Sequence, residues 1–93
     1  MSVYVFPAIV HKEGETYGLV FPDLPGCVTV ADTQRELAIN ASEALSGSLE
    51  VMLDHEDRIP EPTALEDLTL KADEGDVAAI LVTAYAVKSK EVA

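Results

Sequence analysis

Apolar and polar positions alternate along the chain with two different periods, and five segments stand out. Three short segments rich in β-branched and aromatic residues predict strands over residues 3–10, 16–21 and 27–30. Apolar residues then recur at helical spacing from Gln34 to about His55, and a continuous apolar run over 77–87 predicts a last strand. The order strand, strand, strand, helix, strand predicts an α+β fold: a βββαβ two-layer structure with one long helix packed on one face of a sheet.

Turn residues separate these segments. Gly14 lies in a polar stretch and is free to take positive φ, which predicts a hairpin between the first two strands. Pro7 lacks a backbone donor, so we expect the first strand to lie at an edge or to carry a bulge near Pro7. Two prolines and a glycine over residues 22–26 predict a rigid break before the third strand.

The helix boundaries carry the clearest local signals. Thr33 and Glu36 have the spacing of a capping box, which predicts a helix start at Gln34. Residues expected on the apolar side are Leu37, Ala38, Ala41, Ala44, Leu45, Leu49 and Met52, and those on the polar side are Glu36, Asn40, Glu43, Glu50 and Asp54. Prolines 60 and 62 end the helical pattern. Thr63, with Glu66 three residues later, predicts a cap for a short turn through Leu68, and residues 88–93 form a polar tail.

The first and the last predicted strands are apolar on both faces. Over residues 3–10 and 77–87, apolar side chains occupy odd and even positions alike. One helix covers only one face of a sheet, whereas strands that read as continuous apolar runs are buried on both faces. We therefore expect the protein to be a homo-oligomer, dimer or larger, formed through its sheet. The alternative is that rows of Ala and Val are tolerated in water, as on ordinary protein surfaces.

Composition restricts the possible partners. The chain has 93 residues, the size of one domain, and 17 Asp and Glu against 6 Lys and Arg give a net charge of −11. This charge repels phosphates and anionic lipid surfaces, so we expect no direct nucleic-acid binding by this chain and no membrane association. A basic protein partner fits the charge better. Cys27 is the single cysteine and cannot form an intrachain disulfide, which is typical of the cytoplasm.

No catalytic constellation emerges from the sequence. Cys27 has neither a protease-like nor a redox signature around it, and a cysteine at the start of a short strand is typically a small buried hydrophobe. Residues 54–57 are rich in possible metal ligands, but consecutive helical residues point in different directions. The five glycines are scattered and form no phosphate-binding loop. We expect a protein that is not an enzyme, with no catalytic residue, no metal and no cofactor.

Three segments of the sequence resemble those of a known family. Residues 17–29 read Tyr-Gly-Leu-Val-Phe-Pro-Asp-Leu-Pro-Gly-Cys-Val-Thr, residues 40–45 read Asn-Ala-Ser-Glu-Ala-Leu, and residues 59–63 read Ile-Pro-Glu-Pro-Thr. Together with Asp32 and Thr33, they resemble the N-terminal domain of HicB antitoxins of type II toxin–antitoxin systems. The resemblance implies a partial RNase H-like fold and a noncatalytic inhibitor. Its implied partner is a HicA-like toxin, a small basic protein that cleaves mRNA and whose active site the antitoxin covers.

The chain departs from that family in two respects. Ala31 stands where the family often has glycine before the Asp-Thr pair. Many members also carry a C-terminal DNA-binding domain, whereas we expect residues 1–93 to form a single HicB-like domain without one. Two alternatives remain open: a solitary HicB-like oligomeric binding protein of unknown ligand, and a vestigial RNase H-like nuclease. Such a nuclease needs several carboxylates converging on metal ions, and the predicted strands supply none.

A stiff loop is the expected contact surface for the partner. The loop consists of Pro22, Asp23, Leu24, Pro25 and Gly26 and is called the proline loop below. Its two prolines reduce the entropy lost on docking. We expect Leu24 to act as an apolar anchor and Asp23 to pair with a toxin Lys or Arg. The alternative is a loop that only connects two strands, with Asp23 bonded to its own backbone and Leu24 closing the core.

Overall fold

The computed structural model describes residues 2–88, in which four strands and one long helix follow the predicted order. The strands are β1 (Ser2–Glu13), β2 (Thr16–Val20), β3 (Val28–Ala31) and β4 (Asp76–Ala86), and the helix is α1 (Gln34–Asp54). The strands form one antiparallel sheet in the order β3-β2-β1-β4. The predicted α+β architecture is confirmed. Of the predicted polar tail, residues 89–93 lie outside the described residues.

The longest strand, β1, is internal to the sheet over only part of its length. Residues 9–13 of β1 pair with β2, while residues 2–11 pair with β4. Pro7 therefore lies in the half of β1 that has a single strand neighbour, where a missing backbone donor is tolerated. The irregularity in the ladder falls between Val10 and His11 rather than beside Pro7. Gly14 has φ +61° in the β1–β2 turn, as predicted.

Helix α1 begins and ends with regular caps. The Thr33 hydroxyl accepts a hydrogen bond from the Glu36 amide at 3.1 Å, as the capping-box spacing predicted. At the other end, Glu56 takes the left-handed conformation at φ +57°. The amides of Glu56 and Asp57 donate to the carbonyls of Leu53 and Met52. These two bonds form a Schellman motif that closes the helix after Asp54.

The hydrophobic core lies between α1 and one face of the sheet. Helix residues Leu37, Ala41, Leu45 and Leu49 are buried against strand residues that include Phe6, Ala8, Val82 and Ala84. Of the other predicted apolar helix positions, Ala44 and Met52 are half-buried and Ala38 is exposed. The prediction for Ala38 was therefore wrong, because this residue lines an open pocket between α1 and the sheet and is not packed against the strands.

The opposite face of the sheet is also apolar and has no helix on it. We call it the outer face; its positions follow from the strand registers and are Val3, Val5, Pro7, Ile9, His11, Gly18, Val20, Val28, Val30, Ala79, Leu81, Thr83 and Tyr85. Pro7 at its centre is buried, and Ile9 and Ala79 are half-buried. The seven large apolar residues at its other positions are between 40% and 65% exposed.

The segment that connects α1 to β4 contains two single 3-10 turns. They span Leu65–Asp67 and Ala72–Glu74, and the first lies beside β4. The first turn follows Ala64 and has no side-chain cap, so the predicted capping role of Thr63 was wrong. Thr63 is instead bonded to a residue 40 positions earlier. No helix within residues 2–88 combines the length and apolar character that a membrane span requires.

Candidate functional site

The proline loop is closed by its own backbone. The Phe21 amide donates to the Cys27 carbonyl at 3.1 Å, and the Cys27 amide donates to the Leu24 carbonyl at 2.9 Å. A third bond joins the Leu24 amide to the Phe21 carbonyl at 3.0 Å. Gly26 has φ +86°, a conformation that side-chain-bearing residues rarely adopt. The loop is therefore a compact double turn between β2 and β3.

A second set of bonds attaches this loop to the segment after the helix. The Asp23 carboxylate accepts the Thr63 amide at 2.8 Å through Oδ2 and the Thr63 hydroxyl at 2.5 Å through Oδ1. Hydrogen bonds to a charged acceptor are among the stronger ones in proteins, at about 1.5–3 kcal/mol each. This pair joins two loops that lie 40 residues apart in sequence, and it restrains the proline loop on a second side.

The loop side chains do not all face solvent, and this changes the expected roles of Leu24 and Asp23. Leu24 is only 3% exposed and packs in the core, so it is not available as an anchor for a partner. Asp23 bonds Thr63, and not the backbone of its own turn. Pro22, Pro25 and Gly26 are exposed. Leu24 and Asp23 therefore hold the loop, while the two prolines and the glycine form its outward surface.

An open groove of about 600 Å³ lies between the proline loop and α1. Residues 23–28 form one wall, and the helix residues Ala44, Gly47, Ser48, Val51 and Met52 form the other. A Cβ added at Gly47 would meet no atom within 4 Å, so the glycine leaves the helix wall open. Val28 and Val51, on opposite walls, are 59% and 55% exposed. The groove presents apolar surface that a partner side chain can bury.

Cys27 lies at the base of this groove, in an environment that lowers the reactivity of its thiol. Its thiol is buried and donates to the Ala44 carbonyl at 3.5 Å. Burial raises the pKa of the Cys27 thiol, and a hydrogen bond with Ser48 offsets part of that rise. A raised pKa lowers the thiolate fraction near neutral pH, and the thiolate is the nucleophile. The interpretation of Cys27 as a small buried hydrophobe agrees with this environment.

Carboxylates follow the outward side of α1, next to the groove. Glu36 and Glu43 are exposed, and Glu50 and Asp54 are half-buried. Glu43 and Glu50 flank Gly47 along the helix and line a second pocket, which lies between α1 and β4. Among the remaining predicted polar-side residues, Asn40 donates its side-chain amide to the Val30 carbonyl at 3.1 Å. We call Glu36, Glu43, Glu50 and Asp54 the acidic row.

The acid-rich stretch after the helix has no metal-site geometry. Within residues 2–88, no three side chains among His, Cys, Asp and Glu are grouped closely enough to hold an ion. Glu56 instead meets Lys88 at 3.3 Å on the surface. The groove and the Asp23–Thr63 bonds were not predicted, because both depend on residues far apart in sequence. The small residues Ala44, Gly47 and Ser48 on one side of the helix are the signal that could have indicated the groove.

The fold defines the class of protein: a small α+β domain in which one helix lies on a four-stranded antiparallel sheet. Comparison with known proteins identifies the family within this class. The model of a family described as HicB-like antitoxins of bacterial toxin–antitoxin systems matches residues 6–92. The chain therefore belongs to the HicB-like antitoxin family.

Solved structures share the fold, and a curated relative is similar in sequence. The N-terminal domain of the Burkholderia pseudomallei antitoxin HicB is 30% identical, with a TM-score of 0.70 over 85% of this chain and 95% of that domain. A chain of a HicA3–HicB3 toxin–antitoxin complex shares the fold at 23% identity, with a TM-score of 0.67 over 90% of this chain and 99% of that one. A 14.9 kDa protein of Haemophilus phage HP1 is 34% identical over 67% of this chain, which spans 47% of that relative.

Proposed function

We propose that this chain is an antitoxin that binds and neutralises a small, basic, HicA-type mRNA-cleaving toxin by covering its active site. The observation that carries the proposal is the groove, which combines a stiff loop with apolar walls and lies next to the acidic row of α1. Family membership supports the antitoxin role. The similar fold in a HicA3–HicB3 complex supports a HicA-type partner.

The two parts of this surface perform different tasks. A toxin that binds RNA needs cationic side chains where the phosphates lie. The acidic row on α1 offers carboxylates to those cations, which speeds encounter and selects a basic partner. The apolar walls at Val28 and Val51 supply surface to bury, which lengthens the lifetime of the complex. When carboxylates of this chain bind the cationic side chains of the toxin, they compete with RNA for those side chains.

The proline loop forms the rim of this proposed interface. We assign contact with the toxin to the exposed Pro22, Pro25 and Gly26. Leu24 and Asp23 act indirectly, since core packing and the bonds to Thr63 fix the loop before the partner arrives. A preformed rim loses little conformational entropy on binding. The same acidic surface opposes phosphate, so this chain alone does not hold DNA or RNA.

The proposal is tested by filling the groove without weakening the fold. Gly47→Gln replaces a helix-interior glycine with a better helix former and places a long side chain where a Cβ meets open space. Ala38→Gln, at an exposed position of the same helix that lies outside both the groove and the acidic row, is the matched control. Each variant is coexpressed with a small basic HicA-type toxin, and affinity and RNA cleavage are measured on the purified proteins.

We expect Gly47→Gln to weaken binding at least tenfold and to restore RNA cleavage, while Ala38→Gln binds as the unmodified chain does. Thermal unfolding checks that both variants remain folded. Equal affinity of the two variants would place the toxin elsewhere on the molecule. Failure of the unmodified chain to inhibit cleavage would contradict the antitoxin role itself.

A further inference from the structure

A pocket on the helix side of the sheet, at the end where α1 begins, has no part in the proposed function. It measures about 290 Å³ and is more enclosed than the groove. Val10, Ala78 and Ile80 of the sheet form its floor, and Leu37 and Ala38 form its helix side. Because each side contributes an alanine, the space between α1 and the sheet stays unfilled at this end. We call it the helix-start pocket.

Two polar side chains also line this pocket, one from the sheet and one from the helix. They are Tyr17 of β2 and Gln34, the first residue of α1. Within residues 2–88, the Tyr17 hydroxyl and the Gln34 side-chain amide have no hydrogen-bond partner, so both can donate to a bound acceptor. Small-molecule sites are typically lined by apolar and aromatic side chains with a few such polar groups.

A cation lies beside the pocket on the strand side. Lys12 follows Val10 on the same face of β1, and its ammonium lies 5.2 Å from the centre of the Tyr17 ring. The neighbouring Glu13 is on the opposite face of β1, where its carboxylate lies 3.8 Å from His11. In the part of the chain that the structure describes, Lys12 forms no ion pair, although the sequence has 17 acidic residues against 6 Lys and Arg. This ammonium is therefore available to an anion that a ligand brings.

A second cation lies on the helix side of the same pocket. Arg35 follows Gln34, is exposed, and has no ion pair among the described residues. Glu36, the acidic residue of the first turn, lies about 200° around the helix from Gln34 and so on the side away from the pocket. Lys71 and Lys88, in contrast, are paired with carboxylates at 3.8 and 3.3 Å. The pocket therefore has cations on two sides, which favours an anionic ligand in an otherwise acidic molecule.

Size and chemistry together define one class of ligand. An apolar cavity of about 150 Å³ holds one benzene ring, so about 290 Å³ is enough for two fused rings. The Tyr17 ring favours aromatic rings over an aliphatic chain, because paired rings attract each other beyond the area they bury. We propose that the helix-start pocket binds a small aromatic carboxylate, with its rings between α1 and the sheet and its carboxylate at the Lys12 ammonium. The groove lies farther along α1, from Ala44 onwards, so this inference does not depend on the proposed toxin.

The probe is β-naphthoate, and its uncharged amide is the matched ligand without the carboxylate. Ala38→Leu places a larger side chain in the pocket from an exposed helix position and keeps a good helix former. Lys12→Gln removes the ammonium at the pocket. Lys88→Gln removes an equal charge beside Glu56, beyond the other end of the helix, and is the control. Calorimetric titration measures the dissociation constants of both ligands, and circular dichroism checks that each variant is folded.

We expect the unmodified chain and Lys88→Gln to bind the naphthoate equally, and more tightly than the amide. Lys12→Gln should weaken naphthoate binding about fivefold, the upper range for an exposed ion pair, and leave binding of the amide unchanged. Ala38→Leu should abolish binding of both ligands. An unmodified chain that does not bind the naphthoate, or that binds the amide equally well, would overturn the proposal. Naphthoate binding that persists in a folded Ala38→Leu variant would overturn it as well, because the ligand would then lie elsewhere.

Discussion

Single residues with restricted backbone geometry give the most local tests of this structure. Gly75 has φ +97°, and a Cβ there would lie 2.9 Å from His11 Cε1 and 3.0 Å from the Lys12 carbonyl oxygen. Gly14 also has positive φ, at +61°, but its Cβ would meet open space. Gly14→Ala thus carries only the cost of the left-handed conformation, about 1–2 kcal/mol. Gly75→Ala adds a clash with backbone and should lower the free energy of unfolding further.

Urea denaturation of the two alanine variants measures this difference directly. The Gly75 variant should unfold at clearly lower urea than the Gly14 variant, with similar slopes. The Lys12 amide donates to the Gly75 carbonyl at 2.9 Å, so the clash falls where the chain before β4 is tied to β1. Equal losses in the two variants would mean that the turn moves freely enough to remove the clash.

Cys27 provides a test that depends on pH. Because burial raises its pKa, the folded state favours the thiol, and this preference stabilises the fold fully below the ordinary thiol pKa of about 8.5. That contribution is lost as pH rises through the higher pKa of the folded state. The stability advantage of the unmodified chain over Cys27→Ala should therefore shrink above about pH 8.5. Urea unfolding of both proteins at several pH values measures it, and a constant difference would contradict the raised pKa.

At the scale of secondary-structure elements, α1 both covers the core and protects the edge of β4. Replacing Ser42 and Ser46 together with alanine removes the hydroxyls that bond the Thr83 and Tyr85 carbonyls. We expect a loss of about 1 kcal/mol per bond and an increase in large assemblies, because the strand edge becomes free to pair. The Ser42→Thr and Ser46→Thr double variant keeps both hydroxyls and is the control.

Light scattering measures these assemblies for both double variants. An alanine variant that shows no assemblies beyond those of the threonine control would mean that the hydroxyls play no part in edge protection.

The same elements show which parts of the structure can be predicted from sequence. The start of α1 was predicted correctly because Thr33 and Glu36 form a local signal whose bond spans three residues. Thr63 was misassigned because its true partner, Asp23, lies 40 residues away and no periodicity links the two. Leu24 was misjudged for a related reason: a double turn has no regular repeat that tells which side chains point inward. The groove was missed because its walls come from two elements.

At the scale of the whole molecule, the net charge predicts how the proposed toxin complex responds to salt. The complex joins a chain of net charge −11 to a basic partner. Salt screens this attraction within a Debye length of about 8 Å at physiological ionic strength. Raising the salt concentration should therefore slow toxin association, mainly through its rate constant.

Stopped-flow fluorescence measures the association rate with the basic partner between low salt and about 0.5 M, where screening is nearly complete. Glu43→Gln removes one carboxylate of the acidic row and should reduce the salt dependence of the association rate. An association rate that does not change with salt would contradict electrostatic attraction between this chain and its partner.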